Sequence, residues 1–246
     1  MFARRFQARV VSVNRLTSSV IQLLFAPDRG LDFLGGQYVS LYVPTETGFV
    51  RRPYSLAGPN ELCIKVYPDG LGSRFVESLR PGDRFEAMGA YGHFVYRKPE
   101  AGRSVCFIGT GTGLAPLKAI IESREFRRDL PSDAILLQGA RTQADLLYKG
   151  VFDKAGIREV HALSQPGREW AGFRGRVTDF LRSLPSDWPW KDVDFYLCGN
   201  ADMVLEVERL LVHGRGVPKS SVFHEIFQPS NKLKTAAWVQ PFRKTS

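Results

Sequence analysis

Residues 51–56 read Arg51-Arg52-Pro53-Tyr54-Ser55-Leu56. This short run carries a permanent cation, a flat aromatic ring and a hydroxyl. On a strand, alternate side chains share a face, so Arg52 and Tyr54 point the same way. The grouping suits a ligand with a phosphate at one end and a ring system at the other. Taken alone, a surface turn would account for the same residues.

Around this run, residues 4–99 read as short strands at 6–13, 20–25, 38–43, 62–67 and 84–88. Turns are marked by Pro27-Asp28-Arg29-Gly30, Gly35-Gly36, Pro44, Pro68-Asp69-Gly70 and Pro81-Gly82-Asp83. Short strands at this spacing predict a closed antiparallel barrel. One helix is expected inside it at 73–79, with Phe75, Val76 and Leu79 apolar. Gly70-Leu71-Gly72-Ser73 precedes that helix, with Ser73 expected as its N-cap. A helix start of this kind attracts anions through its backbone N–H groups; an ordinary capped helix after a turn explains it equally.

The pattern changes after Lys98-Pro99-Glu100-Ala101-Gly102. Strands are expected at 104–108, 134–138, 160–164, 193–198 and 222–227, with helices at 115–128, 143–155, 177–184 and 201–212. Alternation of this kind predicts a parallel sheet with helices on both faces. The chain therefore reads as two-domain: an N-terminal antiparallel β-barrel at 1–99, and a C-terminal α/β domain with a parallel sheet at 103–246 that includes a C-terminal extension.

Composition narrows the function classes. With 246 residues, 43% of them hydrophobic and 24% charged, the chain can bury two cores. No apolar run reaches the roughly 20 residues of a membrane span. The start lacks the apolar segment of a secretory signal, so a cytoplasmic location is expected. The three cysteines, Cys63, Cys106 and Cys198, form no CxxC pair, which argues against zinc ribbons, disulfide frameworks and iron–sulfur clusters. His93 has no clustered companion and reads as a turn residue, so no metal is expected. The net charge of +9, from 34 basic and 25 acidic residues, admits nucleic acid as a partner. The basic residues are scattered, however, and no nucleic-acid motif is present. Steering toward an acidic protein or an anionic cofactor is the sharper reading.

Two further segments join a strand to a helix. Gly109-Thr110-Gly111-Thr112-Gly113-Leu114-Ala115-Pro116 is glycine-rich, and its glycines suit close approach to a pyrophosphate. Pro116 falls early in the helix, where proline is tolerated. Cys198-Gly199-Asn200-Ala201-Asp202-Met203 is the second segment.

Taken in order, RxYS at Arg52-Pro53-Tyr54-Ser55, GxxS at 70–73, GTGxGxxP at 109–116 and CGxxxM at 198–203 resemble the ferredoxin–NADP reductase family of flavoenzymes. The resemblance covers the chain to Phe227. It implies an FAD-dependent oxidoreductase that transfers hydride between nicotinamide C4 and flavin N5. By that resemblance Arg52 pairs with the FAD pyrophosphate, Tyr54 stacks on the isoalloxazine, and Ser55 bonds near N5. Gly70, Leu71, Gly72 and Ser73 hold the pyrophosphate, and Thr112 touches the ring edge. Gly109, Thr110, Gly111, Gly113 and Pro116 form the NAD(P) turn. Cys198 and Gly199 lie under the nicotinamide, Cys198 shaping that contact rather than attacking it. A buried thiol at a strand end is the plainer alternative for Cys198, and helix packing for Met203.

Arg141, in a segment close to GxRxxxDLxY, and Ser164 are candidates for the nucleotide phosphates, with Arg168, Arg174 and Arg176 as supporting cations. Gln165 departs from the Ser-Arg of NADPH-specific members, so NADPH is favoured only over a still open NADH. Each arginine alone also reads as a surface charge. Glu225 is the candidate orienting or proton-relay carboxylate, and Phe227 the candidate aromatic cover of the flavin. The tail at 228–246, with Trp238 and Phe242, leaves that role of Phe227 open.

The expected activity is electron transfer between NADPH and an acidic ferredoxin or flavodoxin. Alternatives are an NADH-dependent reductase component of an oxygenase system, a non-catalytic flavin-binding module and a basic nucleic-acid-binding protein.

Overall fold

The computed structural model describes residues 3–227. The expectations for Trp238, Phe242 and the rest of the tail concern residues outside this range. Strands β1 (Arg4–Thr17), β2 (Val20–Pro27), β3 (Tyr38–Thr45), β4 (Gly48–Gly58), β5 (Glu61–Lys65) and β6 (Arg84–Tyr91) close a barrel in the order β1-β2-β5-β4-β3-β6. All its pairings are antiparallel. Alternation along each strand sends Val10, Leu23, Val39, Leu41, Leu56 and Leu62 inward, where all are fully buried. Each such side chain contributes ~2 kcal/mol of hydrophobic stabilisation. Helix α1 (Leu71–Ser78) closes this core with Leu71, Phe75 and Val76.

The second half is a six-stranded parallel sheet built from β7 (Ser104–Thr110), β8 (Ala134–Ala140), β9 (Arg158–Leu163), β10 (Phe173–Arg174), β11 (Val193–Asn200) and β12 (Val222–Phe227), in the order β10-β9-β8-β7-β11-β12. Helices α2 (Leu114–Ile121) and α3 (Arg124–Arg128) share one apolar cluster with the sheet. Helices α4 (Val177–Ser183) and α5 (Ala201–Arg209) share another. The chain first builds outward from β7 through β8 to β10, then returns to the other side of β7 with β11 and β12. The switch point lies between β7 and β11, where open α/β sheets bind ligands.

Three local expectations are corrected. The helix expected at 115–128 is two helices, because Ser123 leaves helical geometry and its hydroxyl caps Phe126 N–H at 3.1 Å. No helix runs over 143–155. Asp145 folds back onto the Thr142 N–H and hydroxyl, and Tyr148 and Gly150 adopt positive φ, so only single turns form at Gln143–Asp145 and Asp153–Ala155. The N-cap of α1 is Gly70; Ser73 lies inside the first turn, where its hydroxyl accepts Tyr67 N–H at 2.9 Å. Among the described residues, no helix is long and apolar enough to cross a membrane.

The two halves meet along α2, which packs on β4. The fit is close: a Cβ on Gly35 would stand 2.3 Å from the Ala119 carbonyl oxygen, and one on Gly36 would stand 3.2 Å from Ile120 Cδ1.

Candidate active site

Strand β4 alternates so that Arg52 and Tyr54 share a face, as the sequence predicts, and Ser55 turns into the buried side. A Cβ on Gly72 would stand 2.1 Å from the Tyr54 hydroxyl and 3.2 Å from Arg52 Cγ. The cation, the ring and the first turn of α1 therefore converge at Gly72. No side chain caps that turn, so its leading N–H groups face outward as helix geometry requires. Burial pushes the Tyr54 phenol up to about 12, against the opposing pull of Arg52. Arg52 Nη1 donates to its neighbour's carbonyl at 3.0 Å, and Pro53 is exposed. A fixed guanidinium, an uncapped helix start and an aromatic ring in one place fit the pyrophosphate and ring of FAD.

The two glycine-rich segments lie side by side, because β7 and β11 are adjacent with Cys198 opposite Gly109. Their glycines serve different ends. A Cβ on Gly113 would stand 2.2 Å from the Cys198 carbonyl oxygen, and one on Gly109 would stand 2.9 Å from Leu114 and Leu117 side-chain carbons. Protein packing thus requires both. Gly199 has φ +152°, and its Cβ would stand 2.3 Å from Thr110 Oγ1, so the two segments touch there. Gly111, at φ +53°, has nothing within 4 Å of a Cβ and is exposed beside Thr112. The unobstructed position of this turn is therefore Gly111, with Thr112 half-buried beside it. Pro116 is buried in the first turn of α2. Asn200 caps α5 by accepting Met203 N–H at 2.8 Å, and Met203 itself is buried in the core.

Glu225 stands opposite Cys198 on β12. Ser55, from the barrel, donates its hydroxyl hydrogen to Glu225 Oε2 at 3.5 Å. The three candidate catalytic residues therefore meet at the seam between the halves. Burial raises the Glu225 carboxyl to about 7, with the Ser55 hydrogen bond pulling it partly back. Burial, followed by the Glu225 charge, holds the Cys198 thiol well above its ordinary value. A thiol that stays protonated at neutral pH is a poor nucleophile. Phe227 ends β12 opposite Asn200 and packs half-buried against the cluster that contains Cys198.

Arg141 and Ser164 stand exposed just past the ends of β8 and β9, tied by Ser164 N–H to Ala140 and Gln165 N–H to Arg141. Burial first, and the charge of Arg141 next, lower the pKa of Lys65 in the barrel. Arg174 donates to the carbonyls of Gly167, Arg168 and Trp170; its guanidinium staples its own loop. Arg168 and Arg176 are exposed. Sequence reasoning missed the network beneath this seam, in which buried Lys118 and Glu61 meet half-buried Glu122 and Tyr148. The available signal was a lysine alone in the apolar run Leu114–Ile121.

Two family models match in the same order as the two halves: an oxidoreductase FAD-binding domain over residues 7–96 and an oxidoreductase NAD-binding domain over residues 107–209. The chain is 31% identical over 240 residues to ferredoxin–NADP reductase B of Sorangium cellulosum (strain So ce56), covering 91% of this chain and 98% of that protein. It is 33% identical over 224 residues to the reductase component of phenol 2-monooxygenase from Pseudomonas sp. (strain CF600), covering 85% of this chain and 62% of that protein. Among solved structures, the Amycolatopsis cytochrome P450 reductase superposes with a TM-score of 0.80 at 32% identity, over 92% of this chain and 71% of that one.

Proposed function

The chain belongs to the ferredoxin–NADP reductase family of FAD- and NAD-binding oxidoreductases, and from that premise we propose that it is a cytoplasmic enzyme moving electrons between NADPH and an acidic ferredoxin or flavodoxin. The observation that carries the reading is the meeting of Ser55 with Glu225, itself opposite Cys198, beside two strand-to-helix turns at the switch point. We assign residues 1–99 to the FAD half and 103–246 to the nucleotide half.

In this reading Arg52 and the first turn of α1, from Gly70 through Leu71 and Gly72 to Ser73, hold the FAD pyrophosphate. Pro53, Tyr54, Ser55, Thr112 and Phe227 frame its ring system. When bound, FAD supplies a two-electron hydride acceptor able to release its electrons singly. Gly109, Thr110, Gly111, Gly113, Pro116, Gly199 and Met203 shape the nicotinamide side, and Arg141, Ser164 and Arg176 stand where nucleotide phosphates would need cations and donors. Arg174 serves that group indirectly by holding its loop. Cys198 presents a neutral thiol and keeps charge away from the reacting face. Glu225, with a carboxyl near 7, orients Ser55 and can hold or release a proton at that hydroxyl. Closing the seam around these groups excludes water and fixes orientation.

NADPH is supported by the exposed Arg141 and by the name of the Sorangium relative. An NADH-dependent reductase component of an oxygenase system is the second reading, favoured by the phenol 2-monooxygenase relative. Anaerobic titration of the purified, yellow protein with each nucleotide tests the proposal. Bleaching by NADPH at a higher kcat/KM than by NADH is the expected result. Preference for NADH selects the second reading, and no bleaching by either leaves a flavin-binding module without turnover.

A further inference from the structure

Lys118 is the single charged residue of α2, whose other members are Leu, Ala, Pro and Ile, and it is 8% exposed. An ammonium has three donor hydrogens, and here three acceptors surround it: the Ala57 carbonyl at 3.0 Å, Glu61 Oε2 at 3.0 Å and Glu122 Oε2 at 2.9 Å. Two of these belong to the barrel and one to the end of α2 itself. Glu61 Oε1 in turn accepts from Gln22 Nε2 at 2.8 Å and from the Tyr148 hydroxyl at 3.1 Å. The ammonium also lies 5.4 Å from the centre of the Tyr148 ring. A buried charge persists only with this kind of saturation.

The placement of the cluster gives it a second role. Ala57 lies two residues beyond Ser55 on β4, where the register of β4 on β5 slips between Leu56 and Gly58. Lys118 lies five residues beyond Gly113, where any Cβ would run into the Cys198 carbonyl. One buried ammonium therefore ties the strand that presents Ser55 to the helix whose entry turn rests on Cys198. Glycine packing at Gly35 sets how near the helix may come to the barrel, but it has no directional bond to fix sliding along the strand. The Lys118 hydrogen bonds supply that direction.

We propose that Lys118, with Glu61 as its counter-ion, is a positioning residue for hydride transfer: it locks β4 to α2 and so holds Ser55 opposite Glu225 and Cys198. The inference rests on the reductase reading above. Lys118 acts through the two elements it joins.

The test uses the full-length, FAD-loaded protein with Lys118→Met and Lys118→Arg. Nitroxide labels at Arg84→Cys and Leu205→Cys, both exposed and on opposite halves, report the distance between barrel and sheet; the three native cysteines are buried. In Lys118→Met the limiting rate of flavin reduction falls about tenfold or more, while half-saturation by nucleotide stays within about twofold. The distance distribution broadens as well, and Lys118→Arg restores both. If Lys118→Met fails to fold, Lys118→Met combined with Glu61→Gln removes the stranded carboxylate and carries the same comparison. An unchanged limiting rate with an unchanged distance distribution overturns the proposal, as does a loss confined to nucleotide or FAD affinity. If neither nucleotide reduces the wild type, the reductase reading falls. The distance distributions then decide the clamp alone: broadening in Lys118→Met supports it and no change overturns it.

Discussion

Burial holds the Glu225 carboxyl at about 7 in the folded protein, whereas an unburied glutamate ionises near 4.5. Between those values the folded state keeps a proton that the unfolded chain has released. This contribution to stability is therefore full below the lower value, declines as pH rises through the window, and levels off above the upper one. Glu225→Gln removes the decline, so denaturant melts should show the variant gaining on the wild type by up to about 3 kcal/mol from pH 4 to pH 8. A constant difference across that range would assign the carboxyl an ordinary value. The same substitution should erase a limb near neutral pH in the rate of flavin reduction. Ser55, Cys198 and Glu225 were each legible as separate motif residues. Their meeting was not, because Ser55 and Glu225 are 170 positions apart and nothing local couples them.

At the scale of elements, local pattern carried most strands: alternation in the barrel, and short apolar runs in the parallel sheet, where β7 and β11 are buried along nearly their whole length. It failed at 143–155, where a side-chain hydrogen bond and two positive-φ residues outcompete helical geometry. It also failed to divide α2 from α3, because one serine within an apolar helical pattern does not by its spacing mark a cap. The glycine turn invites a paired comparison. Gly113→Ala drives a Cβ onto the Cys198 carbonyl, which is backbone and cannot swing aside, so it should cost at least ~2 kcal/mol in urea melts. Gly111→Ala meets no atom and bears only the left-handed backbone penalty of about 1 kcal/mol. Equal losses at the two positions would contradict the packing described for β7 and β11. Arg52→Ala belongs to this scale too, because Arg52 acts jointly with the start of α1. FAD retention should fall at least about tenfold, measured by flavin released on gel filtration; undiminished flavin content would remove Arg52 from the cofactor site.

For the whole molecule, the excess of 34 basic over 25 acidic residues gives a long-range positive field. If its partner is an acidic electron carrier, the second-order rate of partner reduction should drop steeply between low and physiological ionic strength, as the Debye length shrinks from about 30 to 8 Å. The rate of flavin reduction by bound nucleotide should barely move, which separates steering from chemistry. A partner reaction indifferent to salt would refute electrostatic docking. The two-half architecture was legible from the switch in hydrophobic period near residue 100. The seam between the halves was not, since it is made by α2, Gly35 and Lys118, which look locally like an apolar helix, a turn and a stray charge.

The amino-acid sequence by itself determined the barrel, the parallel sheet and the motifs that mark the family, because side-chain period, glycine freedom and helix starts act over a few residues. Only the tertiary structure decided that Glu225 titrates near neutrality, that the Cys198 thiol stays protonated and that Lys118 bridges the halves. Desolvation and ion pairing depend on groups brought together from distant parts of the chain, and no local pattern encodes which groups those are.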